Sequence, residues 1–128
     1  MRVFASVGIL VFIVGCSGVE AKKGPSVDNF IAPMTFDEAY RRLQAYSRQC
    51  LSEFETSGGL LMHSYSGVLQ VSDPTRRDTG EASLKAYVSG RYEKTSDVVI
   101  SVDGVGVFDQ KQLQALRRSV ESGTPSCR

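Results

Sequence analysis

The sequence has no tryptophan, one histidine and three cysteines, and its hydrophobic runs are short. A zinc site needs three or four Cys, His or carboxylate ligands. No such ligand stands at a suitable spacing from His63, so no metal and no cofactor is predicted. The longest apolar run, residues 3–14, is shorter than the about 20 residues that a membrane-spanning helix needs.

The sequence also has no excess of positive or negative charge. The chain has 15 Lys and Arg against 14 Asp and Glu, a formal net charge of +1. Binding to nucleic acid depends on a concentration of positive charge that neutralises phosphates. A balanced composition supplies no such field, so no nucleic-acid partner is predicted.

Catalytic motifs are missing as well. Ser64 and Ser66 flank His63, but a catalytic triad depends on geometry and not on adjacency in sequence. Gly104 and Gly106 lack the glycine spacing and the lysine of nucleotide-binding loops. The carboxylates are scattered and form no pair suited to hydrolysis. The sequence therefore predicts no catalytic residue, and we expect a protein that is not an enzyme.

What is present begins at the amino terminus. Arg2 precedes an apolar run of the length typical of a secretory signal, and the run ends in Ile13-Val14-Gly15-Cys16. This ending resembles the lipobox of bacterial lipoproteins. The resemblance implies that residues 1–15 are a signal peptide, that Cys16 receives a diacylglyceryl group and that the new amino terminus is acylated with a fatty acid such as palmitate. Two or more acyl chains hold a protein stably at a membrane.

Two other interpretations of this stretch remain open. Val19-Glu20-Ala21 is a passable cleavage site that would release a soluble protein, and Cys16 could be an incidental small residue in an apolar run. If the host is Gram-negative, Ser17 after the lipobox cysteine is compatible with transport to the outer membrane. The expected location is then the periplasmic side of that membrane, with the lipid as the link to it.

The cysteine count fits the same interpretation. An odd number of cysteines in an exported protein leaves one thiol without a partner. If Cys16 carries lipid, Cys50 and Cys127 remain, and in an oxidising compartment such a pair tends to form a disulfide bond. The alternative is two free buried thiols. The disulfide is the better prediction, because Cys127 lies one residue from the chain end, where there is little core to bury it.

Residues 16–34 are rich in Gly, Pro, Ser and charge, and they predict a lipidated, flexible tether. A single domain is expected over residues 35–128. It opens with a helix, because Thr35 and Glu38 have the spacing of a capping box and apolar residues then recur at helical spacing. Ser57-Gly58-Gly59 is expected to end that helix.

The remainder alternates with a period of two. Residues 61–72, the stretch around Leu84–Val88 and the stretch around Val98–Val102 predict antiparallel strands, and residues 105–108 predict a short fourth strand. Asp109 is the expected N-cap of a second, peripheral helix that Gly123 ends. The predicted fold is α+β with two layers: an N-terminal helix, a meander of three or four strands and a C-terminal helix.

These features favour one function class over another. The first is a membrane-anchored envelope lipoprotein that acts as a non-enzymatic binding, assembly or structural module for an envelope protein partner. The alternative is a small ligand-binding or hydrolytic periplasmic lipoprotein whose site the sequence does not reveal. The expected partner surface is the uncovered side of the sheet and its loops, around Tyr65, Arg76, Arg77, Tyr87 and Arg91.

Overall fold

The computed structural model describes residues 24–75 and 82–128, and within these ranges the chain forms two helices and one five-stranded antiparallel sheet. The elements in chain order are β1 (Ser26–Ala32), α1 (Phe36–Cys50), β2 (Glu55–Leu61), a 3-10 turn (Met62–Ser64), β3 (Ser66–Ser72), β4 (Leu84–Tyr92), β5 (Thr95–Val102) and α2 (Gln110–Ser122). The strand order is β1-β5-β4-β3-β2. The α+β class and the antiparallel sheet are therefore confirmed. The sheet has five strands where three or four were predicted, and a strand, not a helix, is the first described element.

The prediction of a flexible tether up to residue 34 is wrong for β1. This strand pairs antiparallel with β5, placing Phe30 opposite Val98 and Ala32 opposite Ser96. Only Phe30 and Ala32 of its seven residues are buried. With Asp28 and Asn29 inside it, the segment lacks the run of β-branched and aromatic residues that marks a strand. The rest of the predicted tether, with Cys16, lies mostly outside the described residues.

The connection from α1 to the sheet also differs from the prediction. The helix ends at Cys50, and Ser57, Gly58 and Gly59 belong to β2. The single strand expected over residues 61–72 is divided between β2 and β3, which pair as a hairpin. The dividing segment holds His63 in the 3-10 turn. On β3 the predicted alternation of buried and exposed residues is present, since Leu69 and Val71 are buried. It does not continue through the 3-10 turn that precedes β3.

A fourth strand over residues 105–108 is not formed. The segment is a turn in which Gly104 adopts a left-handed φ of 81° and donates its N–H to the carbonyl of Phe108 at 2.9 Å. The Asp103 carboxylate accepts the N–H of Val105 at 2.9 Å. Side-chain acceptance of this kind favours a turn over a ladder of strand hydrogen bonds. Gly104 therefore belongs to the turn that leads into α2.

Both helices lie on the same face of the sheet. α1 packs on β3, β4 and β5, while α2 packs on β1, on β5 and against α1. The expectation that the first helix covers one sheet face is confirmed. The second helix is less peripheral than predicted, since it buries Leu113, Ala115, Leu116 and Val120. The helices and strands form one core of buried apolar residues, which are Phe30, Ala32, Phe36, Ala39, Tyr40, Leu43, Tyr46, Leu51, Leu69, Val71, Leu84, Ala86, Val88, Val98, Ile100, Val102, Phe108, Leu113, Ala115, Leu116 and Val120.

The predicted N-cap hydrogen bond is present at the start of α2 but absent at the start of α1. Thr35 is the N-cap of α1, but its side chain makes no capping hydrogen bond. Glu38 forms ion pairs with Arg41 and Arg42 instead of closing a capping box. Asp109 is the N-cap of α2 and accepts the N–H of Gln112 at 3.0 Å, as predicted. The arginines one turn along α1 compete for the carboxylate that a capping box would need.

The disulfide between Cys50 and Cys127 is present, with Cα atoms 5.4 Å apart. It joins the last residue of α1 to the tail beyond α2, as predicted. Neither α1 nor α2 is long and apolar enough to cross a bilayer, and the described ranges contain no other α-helix.

The Asp109 carboxylate predicts a dependence of stability on pH. Arg128 donates hydrogen bonds to it and lowers its pKa from 3.8 to about 2. Because the folded-state pKa is depressed, the ionised carboxylate stabilises the fold above about pH 4, and this contribution disappears as the pH falls from 4 to 2. Asp109→Asn keeps a capping acceptor and removes the charge. In urea unfolding from pH 7 to pH 2, we expect the variant to be less stable than the wild type above pH 4 and to converge with it near pH 2. A constant difference at every pH would contradict this.

Candidate functional site: an aromatic cleft at one end of the sheet

An open cleft lies where α1 begins and the hairpin between β4 and β5 turns. Its volume is about 370 Å³. The lining residues come from the start of α1, from the turn before β3 and from the end of β4, and they are Thr35, Phe36, Asp37, Tyr65, Gly90, Arg91, Tyr92 and Glu93. Aromatic rings therefore dominate its walls, with charged side chains around them.

Tyr65 has the least expected backbone of the site. It ends the 3-10 turn with φ 48° and ψ 44°, the left-handed conformation, and it is the only non-glycine residue with a positive φ among the described residues. A Cβ in this conformation is crowded against the backbone and costs roughly 1–2 kcal/mol. The conformation is held because the Tyr65 carbonyl accepts the N–H of Gly90 at 2.7 Å. The sharp turn points the ring away from the core, and the residue is 65% exposed.

The ring of Tyr65 packs on the ring of Phe36. Their centroids are 5.9 Å apart and their planes are at 88°, an edge-to-face contact. Gly90 makes room for this pair, because a Cβ on it would lie 3.2 Å from the Cβ of Tyr65 and 3.5 Å from the Phe36 ring. Edge-to-face pairs contribute about 0.5–1.5 kcal/mol beyond their buried area. Phe36 therefore supports the Tyr65 ring, and Gly90 leaves the space that this contact needs.

Arg91 and Tyr92, which follow Gly90 at the end of β4, also line the cleft. The Arg91 guanidinium lies 5.6 Å from the centre of the Tyr92 ring, and its Nη1 lies 4.0 Å from a carboxylate oxygen of Asp97. Tyr92 is 73% exposed, more than any other large hydrophobic residue described. Arg91 is therefore already engaged by an aromatic face and a carboxylate within the protein itself.

Two carboxylates complete the rim, those of Asp37 and Glu93. The pKa of Asp37 is lowered, chiefly because its carboxylate accepts a hydrogen bond from the Thr35 hydroxyl. Asp37 is thus ionised at neutral pH, next to exposed aromatic faces. Aromatic faces with a nearby carboxylate attract cations, so the cleft suits a Lys or Arg side chain whose aliphatic stem packs on the rings.

The structure places the predicted surface residues in different locations. Tyr65 and Arg91 meet in the cleft. Tyr87 lies on the face of the sheet opposite the helices, in a cross-strand row with Val68 and Val99. Arg76 and Arg77 lie outside the described residues, so the prediction that they belong to the surface stays a prediction.

Sequence reasoning missed the role of Phe36 and of Tyr92. Phe36 belongs to the buried side of α1, and its ring also supports Tyr65. Tyr92 is the last residue of β4, just before the turn Glu93-Lys94. The polar composition of this stretch indicates only a loop and no binding residue. The left-handed Tyr65 could not be inferred from its residue type, since glycine, asparagine and aspartate are the usual occupants of that conformation.

His63 is exposed in the 3-10 turn. No hydrogen bond or ion pair connects it to another described residue. In the described ranges no group of three His, Cys, Asp or Glu side chains is placed to hold a metal ion. In the cleft, three aromatic rings and the charged side chains of Asp37, Arg91 and Glu93 come together. Comparison with known protein families and with curated proteins finds no match to this chain.

Proposed function

We propose that this chain is a non-catalytic binding module that a lipid on Cys16 holds at a bacterial envelope membrane, and that its aromatic cleft binds a protein partner. The observation that carries the proposal is the strained, exposed Tyr65 beside Phe36 and Tyr92. Residues held in costly backbone conformations cluster at binding and switching sites. Exposed tyrosine beside arginine is also the composition that recurs at the energetic centres of protein interfaces.

The exposure of these rings supports the same conclusion. Tyr65 and Tyr92 leave most of their surface in water although their rings are largely apolar. Single exposed apolar residues are ordinary, but clustered ones are typical of interaction sites. A partner side chain in the cleft would cover both rings and remove that apolar surface from water.

The charges of the cleft favour a basic partner group. Arg91 is engaged by Tyr92 and Asp97, which leaves the carboxylates of Asp37 and Glu93 facing the cleft. A Lys or Arg of the partner would then lay its stem on the tyrosines and its charge near Asp37. Contacts of this kind contribute about 0.5–2 kcal/mol each.

The position of the cleft suits a protein anchored through its amino terminus. Ser26, at the start of β1, lies opposite Val102, and Ala32, at its end, lies opposite Ser96 near the cleft. Seven residues of extended strand span roughly 20 Å. A chain tethered through Cys16 would therefore enter the domain at one end of the sheet and present the cleft at the other, away from the membrane.

A second candidate is the binding of a small molecule in the same cleft. Its volume of about 370 Å³ falls within the range of about 300–1,000 Å³ for small-ligand sites. The cleft is only partly enclosed, however, whereas sites for small ligands enclose most of the ligand. The open shape favours a side chain presented by a larger partner.

Exchange of cleft residues tests the binding role. Tyr65→Asn suits the left-handed backbone and removes the ring, and Tyr92→Ala removes the other ring. We expect both variants to stay within about 1 kcal/mol of the wild-type stability and to fail to restore the envelope phenotype of a deletion strain. His63→Ala and Tyr87→Ala, which lie outside the cleft, should complement fully.

The opposite result distinguishes the alternatives. If His63→Ala alone abolished complementation while the protein stayed folded and lipidated, an enzymatic role would replace the binding role. If the two cleft variants complemented like the wild type, the cleft would not be the site.

The lipid anchor is tested by mass. Intact-mass analysis of protein extracted with detergent should give a diacylated or triacylated chain that begins at Cys16. A soluble mature chain that begins at Lys22 would contradict the anchor and would leave the cleft to be judged on the variants above.

A further inference from the structure

Among the described residues, β2 pairs with β3 alone, and it therefore forms one edge of the described sheet. All seven of its residues, Glu55–Leu61, are exposed. Along an edge strand, backbone N–H and C=O groups point outward without partners and can pair with a further strand. Proteins protect such edges with charged side chains, especially lysine, with proline or with a covering element. β2 contains neither lysine nor proline, and its one charged residue is Glu55 at its first position.

A groove runs beside this edge on the helix side. It has a volume of about 360 Å³ and lies between α1 and β2, lined by Gln44, Ser47, Arg48, Leu51, Ser52, Phe54 and Thr56. Ser47 on the helix and Thr56 on the strand share a hydrogen bond of 2.7 Å between their hydroxyls. This bond joins the two walls. Leu51 is buried, and the partly exposed Phe54 supplies apolar surface. An edge strand with a groove between it and a helix is the arrangement in which an added strand gains both backbone hydrogen bonds and side-chain contacts.

The charge of the groove selects the occupant. Of the described residues that line the groove, Arg48 is the only charged one. It is exposed and forms no ion pair with another described residue. We propose that β2 and this groove bind an extended segment of a partner protein as a sixth strand, with an acidic side chain of that segment at Arg48. The surface is separate from the aromatic cleft, so the proposal stands or falls independently of it.

A second copy of the chain fits the groove less well. In a symmetric antiparallel pair centred on Gly58, Thr56 would lie opposite Leu60 of the other copy, and Glu55 opposite Leu61. The end of β2 nearest Arg48 would then meet leucine side chains and no carboxylate. A separate acidic segment would pair with the backbone groups of β2 and would place a carboxylate at Arg48.

The test uses a fluorescent peptide that alternates valine and threonine around one central glutamate, with the full lipidated protein in detergent micelles. Matched probes replace the glutamate by lysine or carry N-methyl groups along one edge. We expect the glutamate peptide to bind and to slow hydrogen–deuterium exchange within Glu55–Leu61. The N-methylated peptide should not bind.

A charge reversal sharpens the result. Arg48→Glu should weaken binding of the glutamate peptide about fivefold, which corresponds to about 1 kcal/mol, and should reverse the preference in favour of the lysine peptide. Lys111→Glu on the exposed side of α2 is the matched control and should change neither value, and Tyr92→Ala should also bind normally. The proposal is overturned if exchange in β2 does not slow, if Arg48→Glu and Lys111→Glu behave alike, or if the protein without peptide is a dimer with β2 already protected.

Discussion

Replacement of Cys50 by alanine is expected to lower the free energy of unfolding by about 2–5 kcal/mol. The bond to Cys127 closes a loop with a sequence separation of 77 residues, so its loss gives the unfolded chain much more conformational freedom. It also frees the tail, whose Arg128 is paired with Asp109 at the start of α2. Urea unfolding of the oxidised wild type and of the variant measures the difference.

The partner cysteine provides the control. Cys127→Ala and the double variant should lose as much stability as Cys50→Ala, because each removes the same bond. A wild-type sample treated with reductant should approach them. If oxidised wild type and Cys50→Ala unfolded at the same urea concentration, the bond would not contribute to stability.

Replacement of Gly58 by alanine is expected to cost about 2–3 kcal/mol, or to detach β2 from β3. Gly58 has a φ of 115°, and a Cβ on it would lie 1.9 Å from the carbonyl oxygen of Val68. Both the backbone conformation and the contact exclude a side chain, and strain of this type costs about 1–3 kcal/mol before the collision is counted. Unfolding measurements give the global cost, and hydrogen exchange in β2 detects local detachment.

Gly59 is the matched control for this experiment. A Cβ at Gly59 meets nothing within 4 Å, and its φ is not positive. Gly59→Ala should therefore be neutral or slightly stabilising, since alanine restricts the unfolded chain. Equal losses for both variants would show that the effect comes from the strand's glycine content and not from the conformation of Gly58.

The parts of the fold that were predicted correctly have local causes. α1 follows from the period of its apolar residues, and the start of α2 follows from Asp109 and Gln112, three residues apart. The disulfide prediction follows from the odd count of cysteines, with Cys16 assigned to the lipid. The helix signals span only a few residues each, and the disulfide requires only that two cysteines remain to pair.

The parts that were missed depend on long-range contacts. β1 is a strand because β5 pairs with it, although Asp28 and Asn29 have low strand propensity. Gly58 and Gly59 ended the helix in the prediction, since glycine after a helical pattern is a typical stop signal. Within the fold they belong to an edge strand that passes close to Val68. In both segments, pairing with a neighbouring strand outweighs the local preference of the residues for a loop or a helix end.

The candidate site was predicted only in outline. Tyr65 and Arg91 were expected on a binding surface, and both line the cleft. Their meeting with Phe36 required the left-handed turn at Tyr65 and the open space at Gly90. Neither is visible in the sequence, because they depend on the hydrogen bond between the Gly90 N–H and the Tyr65 carbonyl.

The most direct test of the proposed binding role is photo-crosslinking in living cells that produce the full, lipidated chain. A photoreactive residue replaces Tyr92 in the cleft or, as control, Tyr87 on the opposite face of the sheet. We predict a discrete adduct from position 92 that maps to a partner segment containing Lys or Arg, that is absent from position 87 and that disappears when Tyr65→Asn is added. An adduct from position 87 alone, or an adduct from position 92 that persists with Tyr65→Asn, would contradict the assignment of the cleft as the partner site.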